Sequence, residues 1–78
     1  MTTSIHATHD IGHAIRNTRK QLGVTQRDLA LAAGTGLRFI IELEQGKSTC
    51  QIGKILDIMH VLNIQCSLSI PEDKPLGS

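Results

Sequence analysis

Arg38 lies between Leu37 and Ile41 in a short run whose spacing is helical. At the start of a helix its guanidinium is the one long cation able to offer a two-pronged fork to guanine O6 and N7, the commonest specific contact in a DNA major groove. Leu37 and Ile41 are apolar targets for a thymine methyl, and Glu42 can accept from cytosine N4 or repel sequences that do not fit. Packing against neighbouring loops is the alternative use of Leu37 and Ile41. Upstream, Thr25 and Gln26 open another helical pattern, and free N–H groups at a helix start favour an anion such as a phosphate. Thr25 is expected first of all to cap that helix. Lys47 is placed to add a second phosphate contact, and Arg16, Lys20 and Arg27 to add long-range attraction or simply a solvated face.

These residues need two helices set steeply across one another. The run from Gly23 to Lys47 supplies them, with Gly34 and Gly36 in a turn short enough to swing a second helix across the first and project it outward. Asp10 is a good N-cap for a first helix, on which Ile11, Ala14, Ile15, Thr18 and Leu22 form one stripe before Gly23 stops it. The second helix spans Gln26 to Ala33, with Leu29, Ala30 and Ala33 facing inward. The third runs from about Leu37 to Gln45, with Ile40 and Leu43 inward and Gly46 as its stop. Thr49 can cap a fourth, to about Leu62, on which Ile52, Ile55, Leu56, Met59 and Leu62 make the apolar stripe, flanked by Ile58 and Val61.

After the fourth helix the period changes to two. Ile64, Cys66, Leu68 and Ile70 alternate with Gln65, Ser67 and Ser69, and Pro71 closes a strand pattern. A lone strand leaves backbone donors and acceptors without partners. The same strand of a second copy, antiparallel across a two-fold axis, solves this and predicts a homodimer. Pairing with Thr2 to His6 of the same chain is the alternative, and the two are compatible.

A chain of 78 residues makes one domain. It buries only ~60% of the surface its unfolded form exposes, so a partner subunit would add needed stability. Phe39 is its only aromatic, which leaves Ile, Leu, Val and Ala to fill a small helical core. The net charge of +1 hides an uneven distribution. Arg16 to Lys54 carries seven basic and three acidic residues, a modest basic face of +4. Cys50 and Cys66 are too few for a metal set and are read as free thiols. No apolar run matches a membrane span or a signal peptide, so the chain is expected in the cytoplasm with no membrane partner. Residues 1–9 are read as a flexible N-terminus, 10–70 as the DNA-binding domain with its dimer strand at 64–70, and 71–78 as a disordered tail.

The runs Arg19-x-x-Leu22-Gly23-x-Thr25-Gln26-x-x-Leu29-Ala30-x-x-Ala33-Gly34 and Ile40-x-x-Leu43-Glu44-x-Gly46-Lys47 resemble the Cro/cI-type (XRE-family) helix-turn-helix domain. The resemblance covers roughly Ile11 to Leu62. It implies a mainly α fold, a small four-helix lambda-repressor-like domain, to which the strand pattern above adds one C-terminal strand pairing across a homodimer. It also implies an ion pair between Arg19 and Glu44 that fixes the angle of the reading helix. Gly36 departs from the Ser N-cap of many relatives, at a cost of only a few tenths of a kcal/mol, and brings the backbone closer to DNA.

The start of the reading helix, Gly36 to Ile40, together with the fourth helix and the strand after it, looks like HipB-type antitoxins. These are DNA-binding partners of HipA-type serine/threonine kinase toxins and repress their own operon. The resemblance implies a near-palindromic double-stranded operator, a HipA-like kinase toxin as partner, and a place on the bacterial nucleoid when operator-bound. Phage-type or free-standing XRE-family repression is the other reading.

An enzyme is poorly supported. His6, His9, His13 and His60 are scattered, and no carboxylate pair suggests a catalytic site. His9 and His13 have metal-compatible spacing without a suitable third ligand, so neither metal nor cofactor is expected. A pure interaction module that no longer binds DNA is a third class, and Arg38, Gln26 and Lys47 argue against it.

Overall fold

Asp10 works from inside the first helix and not from its cap. In the computed structural model, which describes residues 2–72, helix α1 spans Thr8–Gln21 with Ala7 as its N-cap. Asp10 therefore occupies the third helical position. Its carboxylate reaches back to accept the backbone N–H of His6 at 2.9 Å and of Ala7 at 3.2 Å. One donor belongs to the cap residue and the other to the residue before it, so the acid supplies the half of a capping box that reaches back from the third helical position.

Three further helices follow: α2 (Gln26–Ala33), α3 (Leu37–Glu44) and α4 (Ile52–Val61). Thr25 caps α2, its hydroxyl accepting the Asp28 N–H at 3.0 Å. Gly34 ends the helix in the left-handed region at φ +69°, which lets the Thr35 N–H reach back to the Ala30 carbonyl at 2.9 Å. Gly46 plays the same part after α3 at φ +88°, and the Lys47 N–H bonds the Glu42 carbonyl at 3.0 Å. Helix α4 starts at Ile52 with Gln51 as its cap, so Thr49 is not the cap expected of it.

The core is Ile15 of α1, Leu29 and Ala30 of α2, Ile40 and Leu43 of α3, and Ile55, Ile58, Met59 and Leu62 of α4 and its C-cap. Burying each large side chain contributes about 1.5–3 kcal/mol before chain entropy is counted.

Two inward faces differ from the sequence pattern. On α1 the buried residues are Gly12, Ile15 and Arg19, while Leu22 is 58% exposed. A β-carbon on Gly12 would overlap the Leu43 carbonyl oxygen, so α1 meets α3 backbone to backbone at this point. On α4, Ile58 is fully buried and belongs to the inward face, whereas Ile52 is 69% exposed and Leu56 also faces out.

The sequence predicts a strand at 64–70, and no strand is present among the described residues. Ile64 is half-buried against the core, its N–H bonded to the Met59 carbonyl at 2.8 Å, while Cys66, Leu68 and Ile70 are exposed. Thr2 to His6 forms no ladder with them either. A strand exists only as part of a ladder, and the described residues supply no backbone partner for the segment. Tail residues 73–78, for which disorder is expected, lie outside the described residues.

Candidate nucleic-acid interface

Gly34, Thr35 and Gly36 are all that separates α2 from α3. So short a link forces the two helices to cross steeply and leaves the start of α3 at the surface. Gly36 is the N-cap of α3 in extended conformation, with no side-chain cap. A β-carbon there would meet nothing within 4 Å, so the glycine is not required by the protein's own packing and leaves an open approach to the backbone.

The two sides of α3 differ sharply. Ile40 and Leu43 are fully buried, and Phe39 packs against the core with the Lys54 ammonium 5.4 Å from its ring centroid. Facing out are Arg38, exposed, and Leu37, Ile41 and Glu42, half-buried. Arg38 and Glu42, four apart, share one face of the helix.

The inward end of α3 is fixed by ionic bonds. The Arg19 Nε donates to Glu44 Oε2 at 2.7 Å, and a second guanidinium nitrogen donates to Oε1 at 2.9 Å. The third guanidinium nitrogen donates to the Val24 carbonyl at 2.9 Å. The side chains are 9% and 3% exposed. The hydrogen bonding of Arg19 to the Glu44 carboxylate raises the Arg19 pKa further above its ordinary value, against the opposing effect of burial. Such a pair is bidentate and desolvated, and it joins residues 25 apart in sequence, tying α1 to α3.

Gln26 joins this network. Its amide Nε2 donates to Glu44 Oε1 at 3.1 Å, which turns the side chain inward and leaves one amide hydrogen and the N–H groups at the start of α2 for an anion. Thr25 is engaged as the cap of α2. Lys47, just beyond α3, is half-exposed, and its Nζ donates to Glu42 Oε2 at 2.9 Å. Of the side chains assigned to DNA from sequence, Arg38, Leu37 and Ile41 thus lie together on the outer face of α3, with Glu42 and Lys47 joined beside them. Gln26 is the one drawn into the structural network.

Besides the bonds of Gln26 to Glu44 and of Lys47 to Glu42, sequence reasoning missed Gly12 against Leu43, the Val24 carbonyl on Arg19, and Lys54 over Phe39. Gly12 had a signal, since a glycine inside a helical pattern often marks a close approach. Among the described residues no three His, Cys, Asp or Glu side chains are grouped as metal ligands, and the His9 and His13 rings stand 6.3 Å apart. No helix of the described residues is long and apolar enough to cross a membrane.

Two short helices about a three-residue turn, the second anchored inward and exposed outward, define a helix-turn-helix unit, the class of module that inserts its second helix into a DNA major groove. The chain belongs to the helix-turn-helix domain family, which matches residues 12–66. It is similar to an uncharacterized HTH-type transcriptional regulator, y4mF, of Sinorhizobium fredii, with 46% identity over 70 residues and 90% of each chain covered. It is thus a helix-turn-helix transcriptional regulator, of a non-enzymatic family.

Solved structures share the fold at lower identity. A HipB variant in complex with an O2 20mer is similar at TM-score 0.82 and 21% identity, covering 92% of this chain and 100% of that one. HipB in a HipA-HipB-O2-O3 complex is similar at TM-score 0.81 and 21% identity, covering 91% and 100%.

Proposed function

We propose that this chain is a sequence-specific repressor that binds a near-palindromic double-stranded operator as a homodimer. We further propose that it serves as the antitoxin of a toxin–antitoxin operon, repressing that operon and binding a HipA-like kinase toxin. The observation that carries the DNA reading is the division of α3: Ile40, Leu43 and Glu44 hold it down while Arg38 stands exposed at its first turn. Leu37, Arg38, Ile41 and Glu42 would face base edges, and Thr25, Gln26, Gly36 and Lys47 the phosphates. Two copies joined through Ile64, Cys66, Leu68 and Ile70 would set their α3 helices ~34 Å apart, one turn of DNA. Exposed Leu68 and Ile70, at 84% and 79%, are apolar surface that such a seam would cover. The fold shared with HipB, which also occurs in a complex that includes HipA, supports the antitoxin role. Work at the operator places the protein in the cytoplasm, on the nucleoid.

The second reading is a free-standing regulator without a toxin, and the likeness to y4mF supports it equally well. A gel shift on the DNA upstream of the chain's own coding sequence, combined with co-purification of the product of the neighbouring reading frame, tests both. A specific shift together with a kinase-like protein in stoichiometric complex is expected. A specific shift with no complex favours the free-standing regulator. No specific shift overturns repression of its own operon.

A further inference from the structure

Arg38, Glu42 and Lys47 form a line along the outer face of α3 and the turn after it, and the central member is negative. Glu42 shares a helical face with Arg38 and binds the Lys47 ammonium at 2.9 Å, with both side chains of the pair open to solvent at 36% and 49%. The backbone holds the same turn closed, since the Lys47 N–H bonds the Glu42 carbonyl. The pairing therefore lies between a fixed helix end and a fixed turn. We propose that Glu42 is the internal competitor of DNA for Lys47, occupying the phosphate-binding ammonium in the free protein and lowering affinity for every sequence. This deepens the DNA-binding reading above and rests on it.

The physical argument is one of ion exchange. When Lys47 takes a DNA phosphate it must release Glu42, and the freed carboxylate then lies close to the phosphate backbone and gathers a cation from solution. That cation offsets the counterion which the phosphate releases, so the salt dependence is shallower than the number of basic contacts implies. The hydrogen bond from Lys47, and after it the charges of Lys47 and Arg38, hold the Glu42 carboxyl below its ordinary range, so the group is ionised and able to compete at neutral pH. Among the described residues, Lys47 and Arg38 are the charges that act on the Glu42 carboxyl. A pair this exposed is worth no more than about a fivefold change in an equilibrium constant. That is small for an operator bound through many contacts. It is large for random DNA, where phosphate contacts supply nearly all the affinity.

Glu42→Gln removes the charge, keeps the size, and lies on the surface, where folding is undisturbed. Binding of the full chain to a fluorescent random-sequence duplex, measured across a salt series, should tighten about two- to fivefold, with a salt slope steeper by up to ~0.9. In a Lys47→Met background the same substitution should gain clearly less, because the competition is for Lys47. Unchanged binding and slope overturn the proposal while the DNA-binding reading stands. So does an equal gain in both backgrounds, which would make Glu42 a general repulsive charge. A loss confined to an operator duplex, with no gain on random DNA, would leave Glu42 its base-facing role alone and overturn the competition for Lys47. A wild-type chain that binds no duplex overturns the DNA-binding reading itself.

Discussion

Gly12 of α1 and the Leu43 carbonyl of α3 lie closer than any side chain permits. Alanine at position 12 is a better helix former by about 1 kcal/mol, yet its methyl would collide with a backbone oxygen that is itself part of a helix. Helix α1 must then move off α3. Gly12→Ala should destabilise the fold by about 1–3 kcal/mol net, read as a lower midpoint in urea with an unchanged slope. A midpoint at or above that of wild type would show the two helices slide apart freely.

Glu44→Ala leaves the Arg19 guanidinium buried with only the Val24 carbonyl as partner. The expected loss is about 3–5 kcal/mol, a large part of the stability of so small a domain. Arg19→Lys should be intermediate, since an ammonium cannot supply the two parallel bonds of the guanidinium. Thermal unfolding of both variants checks this. An unchanged transition for Glu44→Ala would mean the pair contributes no net stability.

Asp10 makes the start of α1 sensitive to acid. The N–H of His6 above all holds its carboxyl below the model-peptide value of 3.8, with desolvation opposing and the N–H of Ala7 adding to the lowering. A lowered folded value means the contribution is fully present above the ordinary carboxylate range and is lost as pH falls through the depressed one. An NMR titration of the His6 and Ala7 amide shifts should show a midpoint below 3.8, absent in Asp10→Ala. A midpoint at or above 3.8 would mean that these two bonds do not hold in solution.

Arg38→Ala should weaken binding to the cognate operator by ~1–3 kcal/mol and hardly change binding to a scrambled duplex. Equal losses on both would reassign Arg38 to a phosphate. Fluorescence anisotropy at fixed salt distinguishes the two.

Leu68→Lys tests the dimer seam. Two lysines facing one another across a two-fold oppose both strand pairing and burial. Sedimentation should report a monomer, and operator binding should collapse although the outer face of α3 is untouched, because a single half-site contributes too little affinity. A dimer with full operator affinity would end the strand-seam proposal.

The legibility of this chain in its sequence follows what each segment exposes to a pattern. Helix α2 is readable because Thr25 and Gly34 punctuate both its ends, and α3 because Gly36 and Gly46 bracket it. Of its inward pair, Leu43 stands out between Glu42 and Glu44, and Ile40 follows from it by its three-residue helical spacing. The inward face of α4 is not readable, since Ile52, Ile55, Leu56, Ile58, Met59 and Val61 are apolar nearly all round and no period selects between them. On α1 the hydrophobic template takes in Leu22 and passes over Gly12 and Arg19. It cannot register a backbone contact or a buried charge whose partner is 25 residues away. The Arg19–Glu44 pair was available only through the family resemblance. The alternation at 64–70 is plain in the sequence, but no other segment pairs with it among the described residues.

The division of α3 also separates two kinds of change. Ile40, Leu43 and Glu44 face the rest of the domain, so substitutions there alter stability whatever the protein binds. Leu37, Arg38 and Ile41 face away, so substitutions there leave the scaffold standing. A duplicated copy of this chain can therefore acquire a new target by drift at a few outward positions, without passing through an unfolded intermediate.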